Sequence, residues 1–158
     1  MSSEQALSAE VEGALAAAAR AWPEAELLML FGSASRGRMG PGSDVDLLVR
    51  VTRGSEVDPE ARERFLEQAV RATGREVDLV IESPSTSVIL RREVAARGRP
   101  LFERYANSAR CFRVEAVAAY VELEPQLRKI GEAIRARAVR DGEAARKRLE
   151  LREARGGG

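Results

Sequence analysis

Hydrophobic and polar positions in the first third of the chain predict one helix followed by two strands. Apolar residues at helical spacing indicate an amphipathic helix over residues 3–21, ending before Pro23. The apolar run 27–31 has strand length and stops at Gly32. Residues 45–51 alternate between apolar and polar, which predicts a half-buried strand. The apolar face of that strand would carry Val45, Leu47, Val49 and Val51.

The middle of the chain continues this alternation of helices and strands. A second helix is predicted over residues 59–73, closing at Gly74, and a third strand over residues 77–81. Residues 84–97 read as a further helix, and residues 101–105 fit a fourth, edge strand. This order of elements predicts an α+β fold, in which helices pack on a small mixed β-sheet.

From Asn107 onward the pattern is helical and predicts a C-terminal helical extension. Pro125 interrupts the pattern, so we expect a kink or a break into two helices. The apolar positions of this helical segment form a seam along one side. This seam packs most simply on the sheet, although further apolar positions beside it leave room for a partner or a dimer interface. The seam residues recur in steps of three and four: Phe112, Ala116, Ala119, Leu123, Leu127, Ile130 and Ile134. The apolar positions beside them are Val114, Val117, Ala118 and Val121.

Composition narrows the functional class. With 158 residues, 44% apolar and 32% charged, the chain suits one globular domain with a highly charged surface. The net charge of +1 argues against dedicated nucleic-acid binding. No stretch is long and apolar enough to cross a bilayer, and the N-terminal residues lack a signal-peptide layout. We therefore expect a cytoplasmic protein with no membrane association.

The near absence of two residue types limits the chemistry. The chain has no histidine, which removes Ser-His-Asp and Cys-His catalysis and the common zinc sites. Cys111 is the single cysteine, and its apolar neighbours predict a buried, inert thiol. Any metal chemistry must therefore rest on carboxylates, which favour Mg²⁺, Mn²⁺ or Ca²⁺.

A glycine-rich segment follows the first predicted strand and suits phosphate binding. Gly32 allows a sharp turn and a close approach to a ligand. If Ser33 caps a short helix running through Arg36, backbone N–H groups and a hydroxyl face outward together. The Arg36 and Arg38 side chains could neutralise triphosphate charge, or be solvated loop arginines. The return loop is made flexible by Gly37, Gly40 and Gly42.

Three aspartates follow this segment. Asp44 and Asp46 are two positions apart at the start of the second strand, so their carboxylates project from one face. Asp78 lies within an otherwise apolar third strand. If that strand neighbours the second, three carboxylates can share two metal ions and support transfer of a phosphoryl-linked group. An isolated Asp-x-Asp motif usually lies in a solvated loop. The prediction of a metal site therefore rests on the combination of the glycine-rich segment with the three aspartates.

These residues carry a resemblance to a known family. Gly32-Ser33, ten residues, and Asp44-Val45-Asp46 resemble the signature of the DNA polymerase β-like nucleotidyltransferases. Within these, the chain is similar to the minimal nucleotidyltransferases, the MntA-type antitoxins that pair with HEPN-domain ribonuclease toxins. The resemblance covers roughly residues 25–138, and Ser35 departs from it where alanine is expected. It also rests on Gly37, Ser43 and Leu47 and on residues 75–79, 90–94 and 101–104.

The resemblance implies a polymerase β-like fold and a defined activity. Gly32, Ser33 and Arg36 would bind the triphosphate of ATP, the substrate. The three aspartates would be catalytic and hold two Mg²⁺ ions, with Asp78 as the third ligand and base. The chain would transfer AMP to a tyrosine of a HEPN toxin that is encoded alongside it, and this modification would silence the toxin. Toxin and antitoxin would form an oligomer. Residues 1–106 would form the nucleotidyltransferase domain, 107–140 a helical extension packing on the domain or partner, and 141–158 a charged, frayed tail.

Three other functions compete with protein adenylylation. An antitoxin could act by binding alone, although three intact aspartates speak against a decayed site. Transfer to a small molecule such as an aminoglycoside normally needs an additional acidic pocket, and the C-terminal region shows no acidic cluster. Transfer to RNA is least supported, because the charge is neutral and no RNA-binding appendage is evident.

Overall fold

The computed structural model describes residues 5–156 and contains one four-stranded mixed sheet with helices packed on it. The α+β class and the C-terminal helical extension predicted from the sequence are confirmed. In chain order the elements are α1 (Ala9–Arg20), β1 (Ala25–Phe31), α2 (Gly32–Ser35), β2 (Val45–Val51), α3 (Pro59–Thr73), β3 (Val77–Ile81), α4 (Val88–Arg97), β4 (Arg99–Glu103) and α5 (Ser108–Gly156).

The sheet has the strand order β3-β2-β1-β4, so the two strands that carry the aspartates are neighbours. β1 runs antiparallel to β2 and to β4, whereas β2 and β3 run parallel and are connected through α3. The register of the parallel pair places Asp46 directly beside Asp78. Three carboxylates can share metal ions only if the third strand lies beside the second, and the structure has this arrangement.

Both faces of the sheet are covered by helices, and strand alternation decides which side chains reach each face. On one face Val45, Leu47 and Val49 share a core cluster with Trp22 of the α1–β1 connection and with Phe65 of α3. On the other face, the cluster includes Leu27, Met29 and Leu48 from the sheet, Val94 from α4, and Phe112 from α5. Asp46 and Arg50 of β2 alternate with the first cluster and therefore share the second face with Leu48.

Two helices begin later than the hydrophobic pattern predicts. α1 starts at Ala9, because the Ser8 side chain accepts a hydrogen bond from the Val11 N–H and caps the helix. Residues 5–8, where the pattern also predicts helix, are not helical, and residues 3 and 4 lie outside the described residues. α4 starts at Val88 rather than residue 84, with Ser87 as its cap. In both places serine offers the backbone a non-helical alternative, which stops the helix from extending further towards the N-terminus.

α5 is a single helix over Ser108–Gly156, and it contains Pro125. A break into two helices, one of the two outcomes expected at Pro125, is therefore absent, and a kink there stays a prediction. Cys111 is exposed, so the prediction of a buried thiol is wrong. The neighbouring Phe112 and Ala116 occupy the buried side of the helix, and Cys111 lies about 100° away from Phe112 around the axis.

The chain separates into two compact units, one up to Ala119 and one from Tyr120 onward. The second unit is the remainder of α5, which stays helical through residues 141–156, part of the segment we expected to be frayed. The division at residues 106 and 140 stays a prediction. Within residues 5–156 no helix is long and apolar enough to cross a membrane.

The start of α5 is tied to the sheet by an ionic network centred on Arg50. The Arg50 guanidinium donates to Glu82 just after β3 at 2.5 and 3.1 Å, and to Glu115 of α5 at 2.6 Å. It also lies 5.1 Å from the centroid of the Phe112 ring. Hydrogen bonds from charged donors to charged acceptors are the stronger kind, so this network holds β2, β3 and α5 together.

We expect Phe112→Ala to destabilise the protein by about 3–5 kcal/mol, because it leaves a cavity between the sheet and α5. Phe112 is fully buried. Val114→Ala, at a position 62% exposed on the same helix, is the matched control and should change stability by less than about 0.5 kcal/mol. Denaturant unfolding of both variants measures the difference. Equal, small losses would mean that α5 does not pack on the sheet through this ring.

Candidate active site

Asp46 stands at the centre of the residues that the sequence singles out. Its side chain is half-buried on β2, and Asp78 on β3 is its direct neighbour in the parallel ladder. Asp44 precedes β2 by one residue and is exposed, as is Asp78. The site therefore consists of one partly sheltered carboxylate and two carboxylates open to solvent.

The electrostatics of Asp46 show that these groups act on one another. Burial raises the pKa of the Asp46 carboxyl, and the negative charges of Asp78 and Asp44 raise this pKa further. The positive charge of Arg36 opposes them and lowers the pKa of Asp46. Four of the predicted site residues thus converge closely enough for their charges to be felt at one carboxylate.

Gly32 joins this group through direct contact with Asp46. Its φ of +67° lies in the left-handed region that favours glycine. A Cβ atom built on Gly32 would overlap the Asp46 carboxylate oxygen, so no other residue fits here without moving the aspartate. The glycine therefore lets the end of β1 approach the carboxylate.

Ser33 lies inside α2, and the prediction that it caps this helix is wrong. The residue at the cap position is Phe31, which supplies no side-chain hydrogen bond. The Ser35 hydroxyl donates to the Gly32 carbonyl at 3.0 Å, and the Arg38 N–H donates to the Ser33 carbonyl at 2.9 Å. Within residues 5–156 the Ser33 hydroxyl makes no hydrogen bond, and it is half-buried next to Gly32. It is therefore available to a ligand.

The glycine loop between α2 and β2 is anchored, rather than being merely flexible. The Arg75 guanidinium donates to the carbonyls of Gly40 and Ser43, at 2.8 and 3.1 Å. The Gly40 N–H donates to the Ser43 hydroxyl at 2.9 Å, and Met39 forms a β-bridge with Gln5. Sequence reasoning assigned no role to Arg75. Its position just before β3 was the available signal, since a parallel neighbour brings it beside the residues that precede β2.

Arg36 follows α2 and faces both the site and α4. Its guanidinium lies 3.6 Å from the Glu93 carboxylate, and both side chains are about 40% exposed. A surface pair of this kind is weak, so Arg36 can exchange Glu93 for another anion at little cost. Together with its effect on Asp46, this places Arg36 where a triphosphate could be bound.

The donor set suits a hard divalent cation, although it does not form a ready-made cage. Within residues 5–156 no three Asp, Glu, Cys or His side chains are gathered so that they could hold a metal ion together. Mg²⁺ in nucleotide enzymes commonly uses only one or two carboxylates and takes its other ligands from substrate phosphates and water. The mutual repulsion at Asp46 is the feature that a bound cation would relieve.

The fold and these residues define a family. A family model described as a nucleotidyltransferase domain matches residues 12–101, which is more than half of the chain. The chain therefore belongs to the nucleotidyltransferase domain family and is a nucleotidyltransferase. The matched segment runs from α1 into β4 and includes every predicted site residue.

Comparison with individual proteins is more informative about function than the match to the family model. The chain is 29% identical over 108 residues to the protein adenylyltransferase MntA of Shewanella oneidensis, covering 68% of this chain and 75% of that protein. A crystal structure of a toxin–antitoxin with AMP-PNP contains a chain that is 27% identical, with a TM-score of 0.66 and coverage of 78% of this chain and 97% of that one. These findings confirm the resemblance to MntA-type nucleotidyltransferases.

A further structural match concerns a modified partner. It is a complex of tri-AMPylated Shewanella oneidensis HEPN toxin with MNT antitoxin. The matching chain in that complex is 25% identical, with a TM-score of 0.61, and the match covers 78% of this chain and 95% of that one.

We expect Gly32→Ala to be more damaging than Gly74→Ala, although both glycines have nearly the same positive φ, +67° and +63°. The conformational strain should cost each variant about 1–2 kcal/mol. Only at Gly32 does the added methyl group overlap Asp46, which should cost about 1–3 kcal/mol more and weaken ATP binding. Denaturant unfolding and calorimetry separate the two effects. Equal behaviour of both variants would show that the contact with Asp46 is unimportant.

The raised pKa of Asp46 predicts a pH-dependent cost to stability. Between its ordinary value of 3.8 and the higher folded value, the folded chain holds more protons than the unfolded chain, so stability falls as pH rises. At neutral pH without metal we therefore expect Asp46→Asn to raise the melting temperature, and the gain to shrink as pH approaches 3.8.

Glu63→Gln is the control for this experiment, because it removes one exposed carboxylate on α3. It should leave the melting temperature in EDTA nearly unchanged at every pH. Added Mg²⁺ should stabilise the wild-type chain and the control, but not Asp46→Asn. A melting temperature for Asp46→Asn that is lower than wild type in EDTA would contradict the repulsion inferred at this site.

Proposed function

We propose that this chain transfers AMP from ATP to a tyrosine hydroxyl of a HEPN-type ribonuclease toxin encoded beside it, and thereby silences the toxin. The observation that carries the proposal is the convergence of Gly32, Asp44, Asp78 and Arg36 around the Asp46 carboxylate. Similarity to an adenylyltransferase and to complexes with an AMPylated HEPN toxin supports the choice of nucleotide and partner. The reaction consumes ATP, which agrees with the cytoplasmic location expected from the sequence.

The proposed roles follow from where the residues lie. Gly32 and the Ser33 hydroxyl would receive the triphosphate at the end of β1, and Arg36 would leave Glu93 to neutralise phosphate charge. Two Mg²⁺ ions would be held by Asp44, Asp46 and Asp78. When bound, Mg²⁺ would neutralise the phosphates and activate the attacking oxygen. The AMP-PNP complex of a similar chain supports nucleotide binding here.

In the proposed reaction, Asp78 would accept the proton of the tyrosine hydroxyl. The phenolic oxygen would form a bond with the α-phosphorus of ATP while the bond from that phosphorus to the leaving pyrophosphate breaks. Asp78 suits this role because it is exposed at the edge of the sheet, where a side chain of another protein can reach it. Burial of the reacting groups would then come from the partner rather than from this chain.

The same openness argues against a small-molecule acceptor. A cavity of about 640 Å³ lies near the other end of β2 and β3, four residues from Asp46 and Asp78 along each strand. Arg50, Arg53 and Arg91 line it together with three glutamates, so it is not an acidic pocket for a polycation. A protein that delivers its own hydroxyl to the aspartates agrees better with this geometry.

The decisive experiment incubates the chain with its co-encoded partner, ATP and Mg²⁺, and measures the intact mass of the partner. We expect the partner to gain the mass of one AMP residue per transfer and to lose ribonuclease activity. Asp44→Asn and Asp46→Asn should abolish the mass gain, whereas Glu63→Gln should not. Silencing at unchanged mass, by the wild type and Asp46→Asn alike, would mean that the chain acts by binding alone.

A further inference from the structure

We propose, on the basis of the function proposed above, that the open edge of β3 binds an extended segment of the acceptor protein as an added antiparallel strand. This segment would carry the acceptor tyrosine and present its hydroxyl beside Asp78. The edge of β3, an apolar groove next to it and the position of Asp78 on the same strand all favour this mode of binding.

The backbone of β3 pairs with β2 through every second residue. The Val45 N–H donates to the Glu76 carbonyl at 2.9 Å, and the Glu82 N–H donates to the Val49 carbonyl at 2.8 Å. In the parallel register of these strands, the even-numbered residues of β3 therefore direct their N–H and C=O groups towards β2. The odd-numbered residues direct theirs away from the sheet, and within residues 5–156 these outer groups make no hydrogen bond. The outer groups belong to Val77, Leu79 and Ile81.

The other edge of the sheet is protected against a further strand, whereas β3 is not. β4 contains Pro100, which has no N–H, and its pairing with β1 shifts register between Leu28 and Met29. Proline and irregular pairing commonly keep an edge strand from pairing with another chain. β3 contains no proline and keeps one register with β2 throughout Val77–Ile81. Its edge is therefore a template on which another strand can form.

An apolar groove lies beside this edge, between α3 and the start of β3. Its volume is about 740 Å³, and its apolar lining comes from Leu66 and Val70 of α3 and from Val77. Val70 is 45% exposed. Val77 packs towards the main core, so the groove lies on the face of the sheet opposite Asp78. In strand addition, main-chain hydrogen bonds hold a peptide and pockets receive alternate side chains, so this groove suits the apolar side chains of an added segment.

Strand addition also accounts for delivery of the acceptor hydroxyl. Because the Asp78 backbone pairs with β2, the residue opposite it in an antiparallel added strand forms a non-hydrogen-bonded pair, in which the Cα atoms are only about 4.5 Å apart. The two side chains of such a pair lie on one face, so a tyrosine at this position lies beside the Asp78 carboxylate. Its two neighbours along the segment face the groove side. We therefore expect the segment to read apolar, tyrosine, apolar.

Like charges disfavour a second copy of this chain as the added strand. An antiparallel second β3 centred on Leu79 would bring the two Asp78 residues to diagonal positions about 7–8 Å apart on one face. A pair centred on Asp78 would set the two carboxylates directly opposite each other. Each copy would also bring its own Asp44 and Asp46 towards the other. An acceptor segment with tyrosine at the facing position avoids this repulsion.

Hydrogen exchange of backbone amides tests the proposal without turnover. The full chain is measured alone and with its co-encoded partner, Mg²⁺ and α,β-methylene ATP, in which the bond broken by transfer is replaced by a stable one. We expect the amides of Val77, Leu79 and Ile81 to exchange at least tenfold more slowly in the complex. The amides of Asp78 and Val80 already pair with β2 and should change little. Slowing that does not alternate along β3, or no slowing, overturns the proposal.

A charge placed in the groove tests the contact with the segment. Val70→Glu should raise the KM for the partner at least tenfold and leave the KM for ATP unchanged. Gln68→Glu is the matched control, because it adds the same charge to α3 about 200° away around the helix axis and should behave like wild type. Both positions are exposed, so both variants should fold, and their melting temperatures verify this. An unchanged KM for the partner in Val70→Glu overturns the proposal.

Failure of strand addition can be told apart from failure of the proposed function. A partner that gains the mass of AMP, but leaves exchange at Val77, Leu79 and Ile81 unchanged, overturns strand addition alone. A partner that neither binds nor gains mass overturns the proposed function, and strand addition with it. Slower exchange at these three amides in the chain alone, as its concentration rises, would mean that a second copy occupies the edge and would also overturn the proposal.

Discussion

The repulsion between Asp46 and Asp78 is the constraint around which the rest of the structure is arranged. Burial of the Asp46 carboxylate, the charge of Asp78 on the neighbouring parallel strand and the charge of Asp44 all raise the pKa of Asp46 and disfavour its ionised form. The strands nevertheless keep this register, because the other face of β2 buries Val45, Leu47 and Val49 in the main core and residues 77, 79 and 81 of β3 pack against it. Burial of apolar surface thus holds in place a charge arrangement that is unfavourable without a cation.

The same face of β2 and β3 carries opposite electrostatics at its two ends. Near the start of both strands the paired carboxylates repel each other, and four residues further along Arg50 and Glu82 attract each other. The attractive end receives α5 through Glu115 and the Phe112 ring. The repulsive end stays open to solvent. This division explains how one end of the sheet is held by an ionic network while the carboxylates at the other end stay accessible.

The glycine loop shows how mobility and order are combined beside the site. Gly32 is needed for its positive φ and for its contact with Asp46, so its freedom is used for close packing rather than for motion. Arg75 then fixes the loop through two carbonyls and links it to the start of β3. The three segments that carry the candidate site residues are therefore cross-connected, which pre-organises the candidate site.

The sequence by itself determined the types of the elements, the α+β class and the residues of the candidate site, because short-range periodicity and glycine–aspartate spacing are local properties. Only the tertiary structure decided which residues meet. The contact of Gly32 with Asp46, the anchoring of the loop by Arg75 and the exposure of Cys111 depend on strand order and on which side of α5 faces the sheet. The late starts of α1 and α4 were determined partly by the sequence and partly by the tertiary structure. Ser8 and Ser87 are visible cap candidates, yet the choice of cap is a competition between helix and turn that the surrounding fold resolves.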